Sequence, residues 1–452
     1  MWWLALVFMM GLMALFQVLT RAGPIEARAT LALGFLALAA HLGGDLAKRF
    51  HLPRITGFLV TGLVVGPAWL GLVRSDEVLA LGFIADAAMA LVAFAAGSQL
   101  TLGMLRRDAV MLARVSVATV VIPFGIVAAV TLSVAPWFPL TVHQPFGDAL
   151  AVALVLGTIA AAASPTVTMA LIEEVDARGP LARAVLGVAV AKDLLVIVVF
   201  ALVLANAGLF ASPGAVDMGV AWTTLRHAAG SIAAGAALGF VVSRYLRLLR
   251  RDTPIFVVAL AFLTAQVGSA LGGGRGGGLE TILIALTAGF YVENFAPVEG
   301  ARLRGLLQRG NLPVYLVVFA LAGAGLQLDT LREVWPWVLL LVALRVLGLR
   351  LGTRFAGASP SVPPDMASHG WLGLVSQAGI AIGLAAAARR AFPEWGVSLE
   401  ALVVVMIGVH EIAGPICFRR ALRLTGEVTE GEHVTKEPDA DRPALIPGGG
   451  RV

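Results

Sequence analysis

The chain has 452 residues, 59% of them hydrophobic and 13% charged, a mean hydropathy of +0.89 and a formal net charge of +5. A soluble domain carries about a quarter charged residues, so this composition excludes one and indicates an all-α polytopic membrane protein. One cysteine, Cys417, excludes a disulfide framework or a multi-cysteine metal site, and the arginines cluster in short loops, a topology signal that needs no nucleic acid partner.

Fourteen apolar stretches of spanning length are predicted, over 2–20, 30–48, 55–72, 78–99, 109–133, 148–171, 182–205, 221–243, 254–271, 279–294, 311–328, 334–354, 369–390 and 398–420. The first has no basic residue ahead of it and no small-residue cleavage site, so residues 1–29 are expected to hold an extra, retained helix and its loop. Alternate loops differ in charge: sixteen Lys and Arg, including Lys48, Arg54, Arg178 and Arg183, stand against seven or eight that include Arg28, Arg74 and Arg389. That bias predicts the richer side, and both termini, in the cytoplasm of a bacterial inner membrane.

If the stretch at 221–243 is a linker within 206–253, six helices over 30–205 precede it and six over 254–421 follow. One linker between two even sets gives the halves opposite orientations, the arithmetic of an inverted repeat. Residues 422–452 are polar, rich in Pro and Gly and without apolar periodicity, so they are expected to be a disordered cytoplasmic tail, too short for a nucleotide-binding domain. The glycine run LGGGRGGGLE at 271–280 is expected to be an external turn.

Charge inside the spans singles out candidate functional residues. Lys192 and Asp193 lie near the middle of ARAVLGVAVAKDLLVIVVFALVLA, where either ion costs about 2.5–3.5 kcal/mol on insertion scales. Such a group needs a partner or a wet cavity; a Lys/Asp pair that only holds helices together is the structural alternative. Ser164, Pro165 and Thr166 interrupt the fifth span of the first half. Ser376, Gln377 and Gly379 interrupt the fifth of the second, and matching breaks in two halves point to a substrate site. Arg345, mid-span in WVLLLVALRVLGLRLGTRF, must be paired or hydrated, either bracing the broken helices through their carbonyls or serving transport. Asp45 and Asp86 lie near span ends, and Glu411, beside His410 in the last span, reads as structural.

Several ordered blocks resemble the monovalent cation:proton antiporter 2 family, which includes Kef-type and NapA-type members. They are LPRITGFLVTGLVVGPAWLGLV at 52–73, FIADAAMALVAFAAGSQL at 83–100, AAASPTVTMALIEEVDARGPLARAVLGVAVAKDLLVIVVF at 161–200, LTAGFYVEN at 286–294, VVFALAGAGLQLD at 317–329 and SQAGIAIGLA at 376–385. The resemblance implies an inverted-repeat antiporter fold of about 13 core helices with two crossed, unwound helices, usually a homodimer. It places Asp193 on the essential cation- and proton-binding aspartate, Ser164, Pro165 and Thr166 on the first crossing, Gln377 on the second, and Arg345 on a buried basic position. This chain departs from the family at Lys192, where members carry Asp, Asn or Gln. It also has Gln99 and Ile380 at positions that are often glutamate.

The expected activity is exchange of Na⁺ or K⁺ for a proton at Asp193 by alternating access, with Ser164, Thr166 and Gln377 supplying neutral oxygens. Lys192 would occupy the place of a second charge and favour electroneutral exchange. No cofactor is called for beyond the transported ions. The alternative is a transporter fold made anion-selective or sensor-like by Lys192. An intramembrane enzyme lacks any nucleophile and base pair or metal motif.

Overall fold

In the computed structural model, the described residues are 24–207, 218–248, 259–266, 278–326, 331–392 and 394–428, with Gly11, Met13 and Phe256. The expected first helix at 2–20, most of the helix at 254–271, the glycine run at 271–277 and the tail beyond 428 lie outside them. All regular structure among the described residues is helical: α1 Ile25–Arg49, α2 Arg54–Val65, the short α3 Ser75–Ala80, α4 Gly82–Ser98, the short α5 Leu102–Arg107 and α6 Ala109–Ser133. Then come α7 Phe146–Ala161, α8 Pro165–Glu174, α9 Pro180–Ala207, α10 Met218–Leu248, α11 Gly278–Phe295 and α12 Pro297–Ala324. The chain continues with α13 Leu331–Ala356, α14 Pro364–Gly373, α15 Gly379–Ala391 and α16 Gly396–Leu424.

Among the described residues, seven helices are long and apolar enough to cross a membrane by length and composition. Two of the fourteen predicted stretches, 2–20 and 254–271, lie wholly or mostly outside the described residues, and the rest of the difference has physical causes. Helix α2 stops at Val65 because Gly66 precedes Pro67, and the residue before a proline is pushed out of the α region. The stretch predicted at 78–99 divides into α3 and α4, and that predicted at 311–328 belongs to a longer helix beginning at Pro297. The two fifth spans are each broken into two helices.

The helices sort into two layers. Helices α6, α7, α9, α13, α15 and α16 share a core centred on Val155, Ile159, Phe200, Leu384 and Leu402. Helices α4, α10, α11 and α12 share another around Phe94, Val242, Ala288 and Leu303. A third cluster, including Phe58, Val167, Val185 and Phe319, spans the seam between them.

Packing in the second layer is reciprocal. Helix α2, second in its half, crosses α12, third in the other, while α4, third in its half, crosses α11, second in the other. Both crossings bring backbones into contact at glycine: a Cβ on Gly97 would lie 2.0 Å from the Leu286 carbonyl oxygen, and one on Gly289 would lie 2.1 Å from that of Phe94. In the α2 and α12 crossing, Gly62 meets Ala320 and Gly323 meets Leu59 at 2.0 Å in the same sense. Small residues let backbones close up where lipid supplies no hydrophobic drive. The fourth helices of the halves, α6 and α13, pack on each other, with Gly348 against Pro123 and Gly352 against Ala118. This is the pairing that opposed, two-fold related halves require. Gly289→Val is expected to force α4 and α11 apart, with loss of the monodisperse peak in detergent size-exclusion chromatography; an unaltered peak and unfolding midpoint would contradict the close crossing.

Candidate ion-binding site

Each broken span places irregular backbone inside the first layer. Helix α7 ends at Ala161, Ala162 to Ser164 run non-helically, and α8 begins at Pro165. Proline at the first helical position gives up an N–H that would have no partner anyway, so Pro165 starts a helix here and does not kink one. Ser164 is the N-cap: its Oγ accepts from Val167 N at 3.2 Å and pairs with Thr166 Oγ1 at 3.1 Å. The second break runs from Leu374 to Ala378 and contains no proline.

Arg345 of α13 joins the two breaks. Its fully buried guanidinium donates from Nε to Ala160 O at 2.8 Å and from Nη2 to Ala162 O at 2.7 Å, both at the first break. It also donates from Nη1 to Val375 O at 2.6 Å and from Nη2 to Leu374 O at 3.2 Å, both at the second. Carbonyls freed where a helix unwinds need donors at this depth, and the planar fork of arginine serves four at once. Gln377 adds a further tie between the breaks, donating from Nε2 to Ile159 O at 2.7 Å.

Asp193, on α9, is 3% exposed and accepts from Ala163 N at 3.0 Å through Oδ1. The carboxyl is therefore fastened to the first break, one residue before Ser164. Its Oδ2 has no hydrogen-bond partner among the described residues, and neither do Lys192 Nζ, Gln377 Oε1 or His410 Nε2, all buried. Buried polar atoms normally find a partner, and such orphans gather where a site serves something other than packing. Lys192 forms no ion pair with Asp193 among the described residues, consistent with side chains about 100° apart around a helix.

The predicted residues thus meet in part. Asp193, Ala163, Ser164 and Thr166 belong to one break, and Gln377 reaches the end of α7 from the other. Ser164 and Thr166, expected as free oxygens beside Asp193, bond each other, and Ser164 also caps α8. Gln377 keeps its oxygen free and commits its nitrogen.

A cavity of about 1570 Å³ opens at one end of the molecule, lined at its rim by Lys48, Arg54, Arg178 and Arg183 and reaching Met169 and Leu186 inside. Those four basic residues belong to the loops that the charge bias assigns to one side. Met169, Leu186 and Ala96 form a buried apolar cluster. Asp193 lies seven residues beyond Leu186 on the same helix, about 10 Å further along it at 1.5 Å per residue, and does not line this cavity. Polar ties cross the seam at the rim. Glu174 accepts from Arg54 N at 2.5 Å and Ile55 N at 3.2 Å, at the start of α2, and Tyr315 of α12 donates to Glu173. Glu427 accepts from Leu181 N at 2.6 Å and Ala182 N at 2.9 Å, capping the helix that carries Asp193. Sequence reasoning missed all three glutamates: a cap whose partners lie 246 positions away has no local signature.

Broken helices crossing inside an inverted-repeat bundle, with an acid fastened to one break, define a transporter. The chain belongs to the sodium/hydrogen exchanger transmembrane family, whose profile matches residues 34–419. Among curated relatives, it is 24% identical over 374 residues to the Na(+)/H(+)-K(+) antiporter GerN of Bacillus cereus, covering 78% of this chain and 88% of GerN. It is 26% identical over 176 residues to the probable Na(+)/H(+) antiporter GerT of the same organism, a match spanning 38% of this chain and 43% of GerT. Its fold is similar to that of the sodium proton antiporter MjNhaP1 from Methanocaldococcus jannaschii, with a TM-score of 0.67 at 18% identity, over 89% of this chain and 99% of that one.

Proposed function

We propose that the chain exchanges Na⁺ or K⁺ for a proton, one for one, by alternating exposure of Asp193 to the two sides of a membrane. The observation that carries this reading is the Asp193 carboxyl, held at mid-span by one oxygen on an unwound segment while the other has no protein partner among the described residues. A carboxylate can hold a metal cation or a proton but not both tightly, so one group suffices for exchange. Family membership and the names of GerN and GerT support the same ions.

Gln377 Oε1 and the hydroxyls of Ser164 and Thr166 are the neutral oxygens that would complete the cation's shell after a small rearrangement. The layer containing both breaks would move against the other, with the ties from Glu173 and Glu174 to α12 and α2 parting as the cytoplasmic side opens. Lys192, buried beside Asp193, stands in for a second exchangeable charge and leaves a single one to be carried. The protein would work as a homodimer in a bacterial inner membrane, with the Lys48, Arg54 and Arg178 face in the cytoplasm.

Proteoliposomes with a trapped pH dye test this by ion swap. Sodium or potassium gradients are expected to drive proton movement, with chloride substitution without effect and no current that follows membrane voltage. Proton movement that tracks chloride and ignores the cation would replace this reading with the anion-selective one, and a voltage-following current would overturn one-for-one exchange.

A further inference from the structure

The mechanism above leaves the mid-span acid of α16 unused. Glu411 lies in the middle of α16, 6% exposed, and among the described residues its side chain makes neither an ion pair nor a hydrogen bond. An unpaired carboxyl at this depth is expensive to keep, and packing alone would be served as well by an apolar residue.

Its position in the fold is specific. Helix α16 is the sixth of its half, as α9 is of the other. Asp193 is the fourteenth residue from Pro180 and Glu411 the sixteenth from Gly396, each preceded by a basic side chain, Lys192 and His410. The halves thus carry matching pairs of a base and an acid at mid-span, about half a turn out of register. Three residues before Glu411, Gly408 abuts Leu326 at the end of α12, in the opposite layer; a Cβ there would lie 2.8 Å from the leucine. Three residues after it, Gly414 abuts Ser376 in the second break, where a Cβ would lie 2.1 Å from the serine Oγ. Residues three apart share a helix face, so Glu411 sits between the seam of the two layers and the second break. Pro415, inside the helix, has no N–H to give to the Glu411 carbonyl four residues earlier, which leaves a second oxygen of the same residue without its helical partner.

Other ionisable groups on the elements packed against α16 are Arg54 on α2, Glu173 and Glu174 on α8, Arg345, Arg350 and Arg354 on α13, Asp365 and His369 on α14, and Arg389 on α15. Of these only Arg345 and the rest of the two breaks lie at mid-span, and Arg345 is taken up by four carbonyls.

We propose that Glu411 is a second proton-carrying carboxyl of the transport cycle, the counterpart in the second half of Asp193. A proton needs one oxygen, which Glu411 offers, whereas a metal ion needs a shell that one carboxyl and one freed carbonyl do not make. The step is an O–H bond formed with a proton from one aqueous face and broken toward the other. This inference rests on the exchange reading and deepens it. It leaves Asp193 as the cation site and has the two acids share the one exchanged proton, so the ratio of one cation to one proton is kept.

Proteoliposomes carrying wild type, Glu411→Gln and Glu411→Asp separate the roles through two measurements: isotopic Na⁺ counterflow without a pH gradient, and uptake driven by one. Glu411→Gln is expected to lower gradient-driven uptake about tenfold or more beyond any effect on counterflow, and Glu411→Asp to restore it. Equal loss of both in Glu411→Gln, or loss of neither, would overturn the proposal. A pH-jump infrared difference spectrum decides independently of transport: a protonated-carboxyl band absent from Glu411→Gln but kept in Asp193→Asn is expected, and no such band would overturn the assignment. If the wild type moves no cation at all, the exchange reading fails while the band still decides whether Glu411 takes up a proton.

Discussion

Asp193→Asn is expected to abolish cation-driven proton movement while leaving the protein folded. Asparagine keeps an oxygen for the Ala163 N–H, so the anchor at the first break persists and the unfolding midpoint should change little. What disappears is the charge that attracts a cation and the group that takes a proton. Each ~1.4 kcal/mol of lost binding is a factor of ten, so losing a charge-assisted contact of about 3 kcal/mol should reduce exchange by about two decades, to the background of empty liposomes. Dye-monitored proton flux checks this, and a variant that retained full exchange would remove Asp193 from the cycle.

Arg345→Met carries the second large effect, on the fold. Methionine matches much of the volume and removes every donor, leaving the carbonyls of Ala160, Ala162, Leu374 and Val375 without their present partner. At roughly 1–3 kcal/mol for each unsatisfied acceptor, even partial relaxation leaves a loss of about 3 kcal/mol or more. A clear fall in the detergent unfolding midpoint should accompany loss of exchange. Arg345→Lys should recover only part of the stability, because an ammonium cannot present the same fork to two breaks. A variant as stable as wild type would show that the breaks hold themselves open without the arginine.

These expectations show which features of the site were legible before any coordinates. A charge amid twenty apolar residues needs no alignment to be seen, so Asp193, Lys192 and Arg345 stood out, as did the break at Ser164 and Pro165, where proline announces itself. The carbonyl partners of Arg345 did not, because backbone acceptors carry no residue identity. The second break was legible only as a polar interruption at Ser376 and Gln377. Pro165 was legible as part of an interruption, but only backbone geometry reveals that it starts α8. Span counting exceeded the helices that cross by themselves, because hydropathy cannot see that Gly66 and Pro67 end α2 early or that one long helix starts at Pro297. The ties at the cavity rim, Glu173 to Tyr315 and Glu174 to the start of α2, join residues more than a hundred positions apart and leave no periodic trace.

The separation between the cavity and the carboxyl turns the account into a question of access. Met169 and Leu186, at the inner end of the cavity, pack with Ala96, and the proposed exchange requires that the carboxyl gain a path to this cavity and to the opposite face in turn. The most direct measurement is labelling of Asp193→Cys in a Cys417→Ser background, its neutral thiol standing for the protonated carboxyl, with a membrane-impermeant maleimide applied to each face of sealed, oriented vesicles. Labelling from both faces is the predicted result; protection from both, in folded protein whose exposed Arg178→Cys counterpart reacts normally, would contradict it.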